Sequence, residues 1–215
     1  MESQVAEGNF EDAVLVRRVQ AGEVHAFNEL VTKYQDRVFN TCWRICGDHA
    51  DAGELTQDVF MKAFQAIGRF HGKSAFYTWV FRIAVNQSLS WKRKQANRKT
   101  VSLDASLSDR DGSENTLRNS LASETTDDPA THVVATESQR LVTDALAQLD
   151  PDQQAVLVLR DIEGMDYQNI ADILEVAVGT VKSRIYRGRM SLRALLCDTI
   201  EQPKPGASAT GGNVF

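Results

Sequence analysis

Residues 179–196, GTVKSRIYRGRMSLRALL, carry the clearest structural pattern in the sequence. The apolar residues of this stretch recur at spacings of three and four, which places them on one stripe of a helix. Between Thr180 and Arg193 the sequence carries five basic residues and no acid. The stretch therefore predicts a helix from Gly179 or Thr180 to about Thr199, with one apolar face and one basic face.

A short helix and a tight turn precede this basic helix. Asp150 followed by Pro151 is typical of an N-cap and a first helical residue, and the helix that they open ends at Gly164. Asp166 can cap a second, short helix that runs to about Leu174. This order of elements is the layout of a helix-turn-helix. The alternative is a solvated surface helix whose basic residues complement the helix dipole.

The N-terminal part of the sequence also has helical spacing, and no strand pattern competes with it. Three helices are predicted there: one ending near Gly47, one from Asp48 or Asp51 to Gly68, and one from about Ala75 to Gln95. The end of the third helix and the residues just after it carry a cluster of positive charges, five within eight residues: Lys92, Arg93, Lys94, Arg98 and Lys99.

Residues 102–139 separate the two helical parts and are rich in Ser, Thr, Asp and Glu. They contain eight acids, two arginines and almost no aromatic residues, a composition that cannot bury enough surface to offset chain entropy. The sequence therefore predicts an all-α protein with two small helical domains, residues 10–96 and 136–200. A flexible acidic linker, residues 97–135, joins them, and a disordered Pro/Gly tail occupies residues 201–215.

Composition constrains the class of protein. The 215 residues carry a formal net charge of −5, which by itself argues against free duplex binding. The three cysteines, Cys42, Cys46 and Cys197, are an odd number without a disulfide framework, and we interpret them as reduced thiols. The N-terminus has no secretory pattern and the chain has no long apolar run, so the predicted location is the cytoplasm, without membrane insertion.

A metalloenzyme is one alternative, because Cys42, Cys46 and His49 form part of a metal-binding pattern. A structural zinc site normally has four ligands and paired spacings such as CxxC, and no fourth ligand lies nearby in the sequence. The favoured interpretation is that the two thiols pack on the inner face of a helix. We therefore expect no metal, no cofactor and no catalytic residue.

Three motifs resemble the extracytoplasmic function (ECF) sigma factors of bacterial RNA polymerase, in the branch of RpoE. The segment from Gly179 to Arg187 is similar to the GTVKSRxxR signature of sigma region 4. The segment from Glu54 to Phe64 resembles the polymerase-binding helix of region 2, and residues 74–86 resemble the part of region 2 that handles the melted promoter. The resemblance covers most of both domains in the expected order.

The resemblance implies functional residues in both regions. In region 2 it implies contacts with core RNA polymerase at Asp51, Glu54, Leu55, Gln57, Asp58, Phe60, Met61 and Phe64. It implies recognition of the melted minus ten element at His71, Lys73, Ser74, Tyr77, Thr78, Trp79, Asn86, Lys92 and Arg93. In region 4 it implies recognition of the minus thirty-five element by the helix-turn-helix at about residues 167–186, through Thr180, Lys182, Ser183, Arg184, Tyr186 and Arg187.

The same resemblance implies partners and a role. The partners are the clamp helices of the beta-prime subunit and the flap of the beta subunit of core RNA polymerase, promoter DNA, and an anti-sigma factor. The role is a specificity subunit that directs promoter-specific initiation, without catalysis of its own. The rival hypothesis is an autonomous helix-turn-helix regulator that binds paired half-sites as a dimer.

Two residues depart from the family pattern. Glu175 occupies a turn position where the family often has Gly, and we expect a positive φ there, which costs a non-Gly residue about 1 kcal/mol. Gly188 lies inside the predicted recognition helix where the family more often has Ala, at a cost of roughly 1 kcal/mol in helix propensity.

Overall fold

The computed structural model describes the backbone of residues 2–105 and 141–201, and the side chains of residues 10–98 and 141–198. Within these ranges the chain is helical and contains no strand. The all-α prediction is thereby confirmed. Most of the predicted linker and the tail from residue 202 lie outside the described residues.

Four helices build the N-terminal domain: α1 (Glu2–Gln20), α2 (His25–Cys46), α3 (His49–Ala66) and α4 (Phe76–Ala105), with a short 3-10 turn at Ile67–Arg69. The local signals work as predicted. Gly47 ends α2 with φ 85°, and its N–H bonds the Trp43 carbonyl. Asp48 caps α3, because its carboxylate accepts hydrogen bonds from the N–H groups of Ala50 and Asp51.

This domain contains more helix than the sequence predicted, in two places. Helix α1 was not predicted, and it contributes Val16 and Val19 to the core. Helix α4 continues to Ala105, past the predicted domain end at residue 96 and into the predicted linker. No glycine or proline interrupts residues 96–105, so nothing in the local sequence stops the helix.

The C-terminal domain contains α5, described over residues 141–147, then α6 (Pro151–Leu157), α7 (Tyr167–Leu174) and α8 (Val178–Glu201). Asp150 caps α6 by accepting from Asp152 N–H, with Pro151 at the first position. A π-helical turn, Val158–Ile162, extends α6 before Gly164 turns the chain at φ 70°. Asp166 caps α7 by accepting from Asn169 N–H.

The two domains pack against each other, and their buried side chains form one continuous hydrophobic cluster. Val38, Cys42 and Ile45 of α2 are fully buried on the N-terminal side, and Val156, Leu159 and Ile170 occupy the C-terminal side. The main elements in contact across the boundary are α4 with α7 and α2 with α6 and the π-helical turn.

Among the described helices, none combines the length and the apolar character that a membrane span requires.

One buried carboxylate joins α1 to α2. Asp12 is 1 % exposed and accepts hydrogen bonds from Lys33 Nζ at 2.7 Å and from the Tyr34 hydroxyl at 2.5 Å. Burial, followed by the hydrogen bond to Asp12, raises the pKa of Tyr34 well above its usual value. A buried carboxylate without hydrogen-bond donors is energetically costly. The hydrogen bond from the Tyr34 hydroxyl therefore stabilises the packing of α1 against the domain.

We predict that Tyr34→Phe lowers the free energy of unfolding by about 1–3 kcal/mol, because it leaves the buried Asp12 carboxylate with fewer donors. Urea unfolding followed by circular dichroism at 222 nm measures the change. Tyr186→Phe is the matched control, since the Tyr186 side chain is exposed and we expect a change within about 0.5 kcal/mol. Equal stabilities of the two variants would contradict the role given to the Tyr34 hydroxyl.

Candidate nucleic-acid interface

The apolar stripe of α8 packs against the domain, and this packing determines the direction in which the basic face points. Val181 and Ile185 are buried against the rest of the domain, so the intervening positions turn outward. Of the six residues predicted for the minus thirty-five element, four have exposed side chains: Lys182, Ser183, Tyr186 and Arg187. Thr180 is half-buried at the start of the helix, and its carbonyl accepts a hydrogen bond from the Ser183 hydroxyl at 3.0 Å.

Acidic residues of the same domain engage two arginines of α8. Arg184 is half-buried, and its Nη2 lies 2.5 Å from Asp152 Oδ2 on α6. Arg189 pairs with Asp161 in the π-helical turn at 2.5 Å. These ion pairs orient α8 against α6, and they leave Lys182 and Arg187 as the exposed cations nearest the start of the helix.

Both departures from the family pattern have a structural explanation. Glu175 adopts φ 56° and ψ 43° at the end of α7, which confirms the expected positive φ. Gly188 is buried, and a Cβ there would lie 3.2 Å from Leu157 Cγ and 3.4 Å from Gln153 Cβ. The absence of a side chain at this position therefore lets α8 approach α6 closely, a requirement that sequence reasoning missed.

The residues predicted to contact polymerase all lie on α3 but divide between its two faces. The exposed set consists of Glu54, Gln57, Asp58, Met61 and Phe64. Leu55 and Phe60 are only 6 % and 8 % exposed, so the structure places them in the core, where they support the exposed face from beneath.

The exposed face of α3 combines negative charge with apolar area. Burial and the carboxylates of Asp48 and Glu54 raise the pKa of Asp51, which is half-buried at the start of the helix. Met61 and Phe64 are 56 % and 41 % exposed, and Phe64 stacks edge-on against Phe27 with ring centroids 5.1 Å apart. Such a face suits a basic partner that also offers apolar contacts.

The predicted minus ten residues lie in the loop after α3 and along α4. His71, Lys73, Asn86 and Arg93 are exposed, and Ser74 is half-buried. Trp79 is also half-buried and packs on Phe70 and Phe76, with centroid distances of 5.0 and 5.7 Å. The exposed members offer cationic and amide groups of the kind that hold single-stranded bases and phosphates.

Three other members of the minus ten set face the C-terminal domain. Thr78 is 1 % exposed, and its hydroxyl donates to Asn169 Oδ1 on α7 at 3.2 Å. Lys92 donates to the Ala147 carbonyl at 3.1 Å and to Gln154 Oε1 at 2.6 Å, and burial lowers its pKa. Tyr77 is half-buried 5.8 Å from the Arg37 guanidinium, and burial raises its pKa to about 12.

The thiols of α2 lie on its inner side. Cys42 is fully buried. Cys46 is half-buried, and its Sγ donates to the Asp48 carbonyl at 3.2 Å. His49 lies outside this packing, and its ring forms T-shaped pairs with Phe39 and Trp43. Among the described residues no group of three or more Cys, His, Asp or Glu side chains is arranged to hold a metal ion.

Comparison with known families matches both domains. Residues 30–98 match the model described as Sigma-70 region 2, and residues 139–192 match the model described as Sigma-70, region 4. Three curated relatives are similar along most of their length. The chain is 37 % identical over 180 residues to the ECF RNA polymerase sigma-E factor of Haemophilus influenzae, which covers 83 % of this chain and 91 % of that protein.

The other two relatives come from further bacteria. Identity is 35 % over 182 residues with the ECF RNA polymerase sigma-E factor of Escherichia coli K12, covering 84 % of this chain and 92 % of that protein. Identity is also 35 %, over 186 residues, with the RNA polymerase sigma-H factor of Pseudomonas aeruginosa. That match covers 85 % of this chain and 92 % of that protein.

Two solved structures share the fold, both at 24 % identity. CnrH, solved in complex with the cytosolic domain of CnrY, superposes with a TM-score of 0.63 over 87 % of this chain and 98 % of that chain. The sigma factor RpoE of Bartonella quintana, solved with the anti-sigma factor NepR, superposes with a TM-score of 0.59. The match covers 82 % of this chain and 98 % of that chain.

We predict that only Cys197 reacts quickly with a thiol reagent such as DTNB at pH 8. Burial raises the pKa of Cys46 to about 12, which leaves a thiolate fraction of roughly 10⁻⁴ at that pH, whereas Cys197 is exposed. The number of fast-reacting thiols per native chain measures this. The Cys197→Ser variant should lose the fast phase, and a fast phase that persists in it would contradict the packed state of Cys42 and Cys46.

Proposed function

Because the chain belongs to the sigma-70 family of RNA polymerase sigma factors, in its ECF branch, we propose the functional assignments below for its domains and residues. The protein binds core RNA polymerase and directs promoter-specific initiation of transcription. Region 2 melts the minus ten element and region 4 reads the minus thirty-five element. One observation carries this function. The chain is 35–37 % identical to curated sigma factors over 83–85 % of its length, and both sigma regions match in the expected order.

Region 2 occupies residues 10–96 in this proposal and docks on polymerase through α3. Glu54, Gln57 and Asp58 offer carboxylate and amide groups to the basic side of the beta-prime clamp helices. Met61 and Phe64 add the apolar area that a stable contact needs. Leu55 and Phe60 act by packing beneath this face rather than by touching the partner.

Opening of the minus ten element takes place on the loop at residues 70–75 and along α4. His71, Lys73 and Asn86 are exposed and are placed to hold unpaired bases through hydrogen bonds and charge. Arg93 is exposed at the basic end of α4 and supports binding of the phosphate backbone as the duplex opens.

Region 4 occupies residues 136–200 and places α8 in the major groove of the minus thirty-five element. The groove admits an α-helix, and Arg or Lys side chains can donate there to guanine O6 and N7. Arg187 and Lys182 are the exposed cations of the predicted set. Arg184 is held by Asp152 and positions the helix.

Three further assignments complete the proposal. The protein supplies specificity to the polymerase and carries no active site of its own. It works in the cytoplasm, where polymerase and promoter DNA are found. An anti-sigma factor regulates it, a proposal supported by structural neighbours that were solved with such a partner. The autonomous-regulator hypothesis is not retained, because the N-terminal domain matches sigma region 2 rather than a sensing domain.

We expect purified core polymerase plus this chain to produce promoter-dependent transcripts from genomic DNA of the host. Run-off transcription followed by sequencing of the transcript starts identifies the promoters. A control sigma factor establishes that the polymerase is competent. If the control produces transcripts and this chain produces none on any native promoter, the function is wrong.

Arg187→Ala should weaken recognition of the minus thirty-five element by about 1–3 kcal/mol, because it removes a donor to a base edge. Binding of the reconstituted holoenzyme to a promoter duplex measures the loss. Arg193→Ala removes one exposed positive charge from the same helix outside the predicted set and serves as the charge-matched control. An equal loss on a scrambled minus thirty-five element would assign Arg187 to phosphate contact only.

A further inference from the structure

The side chain of Gln20, the last residue of α1, bonds the segment that follows α3. Its Nε2 donates to the Ile67 carbonyl at 2.8 Å and to the Phe70 carbonyl at 2.9 Å. Because both partners are carbonyl oxygens, only the amide nitrogen can face them, and both of its N–H groups are used. One side chain of α1 thus binds a turn that lies 47 and 50 residues further along the chain.

The bond to Phe70 sets the direction in which the loop at residues 70–75 begins. A peptide bond is planar, so the orientation of the Phe70 carbonyl also determines the orientation of the His71 N–H. The ring of Phe70 is fixed as well, because it packs on Trp79 and Phe76 with ring centroids 5.0 and 6.2 Å apart. The first residue of the loop is therefore held through both its backbone and its side chain.

The residues after Phe70 are exposed and turn sharply. His71, Gly72 and Lys73 all lie at the surface, and Gly72 adopts φ 67° with open space where a Cβ would lie. Glycine gives the backbone more conformational freedom than any other residue. The placement of the His71 and Lys73 side chains therefore depends on how well the chain is fixed at Phe70.

Helix α1 is a rigid support for the Gln20 side chain. Asp12 joins the helix to α2 through its buried hydrogen bonds, and Val16 and Val19 lie in the core. The Gly22 N–H bonds the Val19 carbonyl at 3.0 Å and closes the end of the helix next to Gln20. A group carried by a well-packed helix is positioned more precisely than one carried by a loop.

Precise placement of this loop matters for binding an unpaired base. A loop that must be ordered during binding lowers the affinity, because its conformational entropy is lost at that step. Hydrogen bonds also weaken steeply when their distance or angle departs from the optimum. The predicted minus ten set contains no residue of α1, so a contribution from this helix is not part of the function proposed above.

We propose that Gln20 is a positioning residue for recognition of the minus ten element and holds the loop at residues 70–75 in the conformation that receives an unpaired base. This inference rests on the function proposed above for region 2. Gln20 acts through the loop rather than by donating to DNA, since both N–H groups of its amide are bonded to the turn.

The test uses the full chain with Gln20→Met, reconstituted into holoenzyme with core polymerase. Methionine is similar in length to glutamine, leaves the net charge unchanged and cannot donate a hydrogen bond. Gln148→Met is the matched control, because Gln148 is also exposed and its Nε2 donates to the carbonyl of Asp144, four residues earlier. Gln20→Lys is the rescue variant, because the ammonium group of lysine can donate to both carbonyls.

The measurement is fluorescence anisotropy with a fluorescein-labelled single strand that carries the minus ten element of a promoter found by the transcription experiment. In a series of such strands, one nucleotide at a time is replaced by an abasic site. The dissociation constant of each abasic strand, divided by that of the intact strand, reports base capture at that position. A loss of folded or active protein affects both strands equally, so a merely structural defect leaves this ratio unchanged.

Wild-type holoenzyme should give a ratio of about ten at the captured position, as expected for a base that is bound by stacking and hydrogen bonds. Gln20→Met should lower this ratio to about two, because the loop is no longer ordered before binding. Gln148→Met and Gln20→Lys should both keep the ratio near the wild-type value.

A ratio for Gln20→Met equal to that of the Gln148→Met control would overturn the positioning role. Failure of Gln20→Lys to restore the ratio would also overturn it, because the role is assigned to two hydrogen bonds rather than to glutamine as such. A wild-type ratio of one at every position would contradict base capture by region 2, and the positioning role would fall with it. The outcomes separate the two proposals, because only the first two leave capture by the wild type intact.

Discussion

The arrangement of the two domains depends on the side-chain amide of Gln154. The last carbonyls of α2 lie beneath the C-terminal domain, where water cannot satisfy all of them, and a buried carbonyl without a donor is costly. Gln154 provides two donors for Arg44 and Ile45 and accepts from Lys92. A leucine of similar size would fill the space but would remove the donor from both carbonyls and leave Lys92 with the Ala147 carbonyl alone. The contact between domains is thus specific rather than a simple apolar association.

Much of the fold follows from local signals in the sequence. Helix ends are marked by the backbone conformation of Gly47 and by the side-chain hydrogen bonds of Asp48, Asp150 and Asp166. Helix α1 was missed because its buried Asp12 resembles a solvent-facing residue until Lys33 and Tyr34 of another helix supply its partners. Contacts of this kind cannot be read from spacing along one helix.

The candidate site shows the same division between local and long-range information. Sequence spacing identified the exposed face of α8 and the exposed face of α3, because helical periodicity alone separates inner from outer positions. It did not identify which cations are already paired within the protein. Asp152 and Asp161 engage Arg184 and Arg189, so the basic surface offered to DNA is smaller than the count of basic residues in α8 suggests.

The two departures from the family pattern are both compensated by contacts from another helix. Gly188 weakens α8 as an isolated helix but allows Leu157 and Gln153 of α6 to approach it. Glu175 strains the turn but provides a carboxylate for Arg82. The first contact lies within region 4, whereas the second joins α7 to α4 across the two domains. Each departure is thus explained by a neighbouring helix rather than by the residues beside it in the sequence.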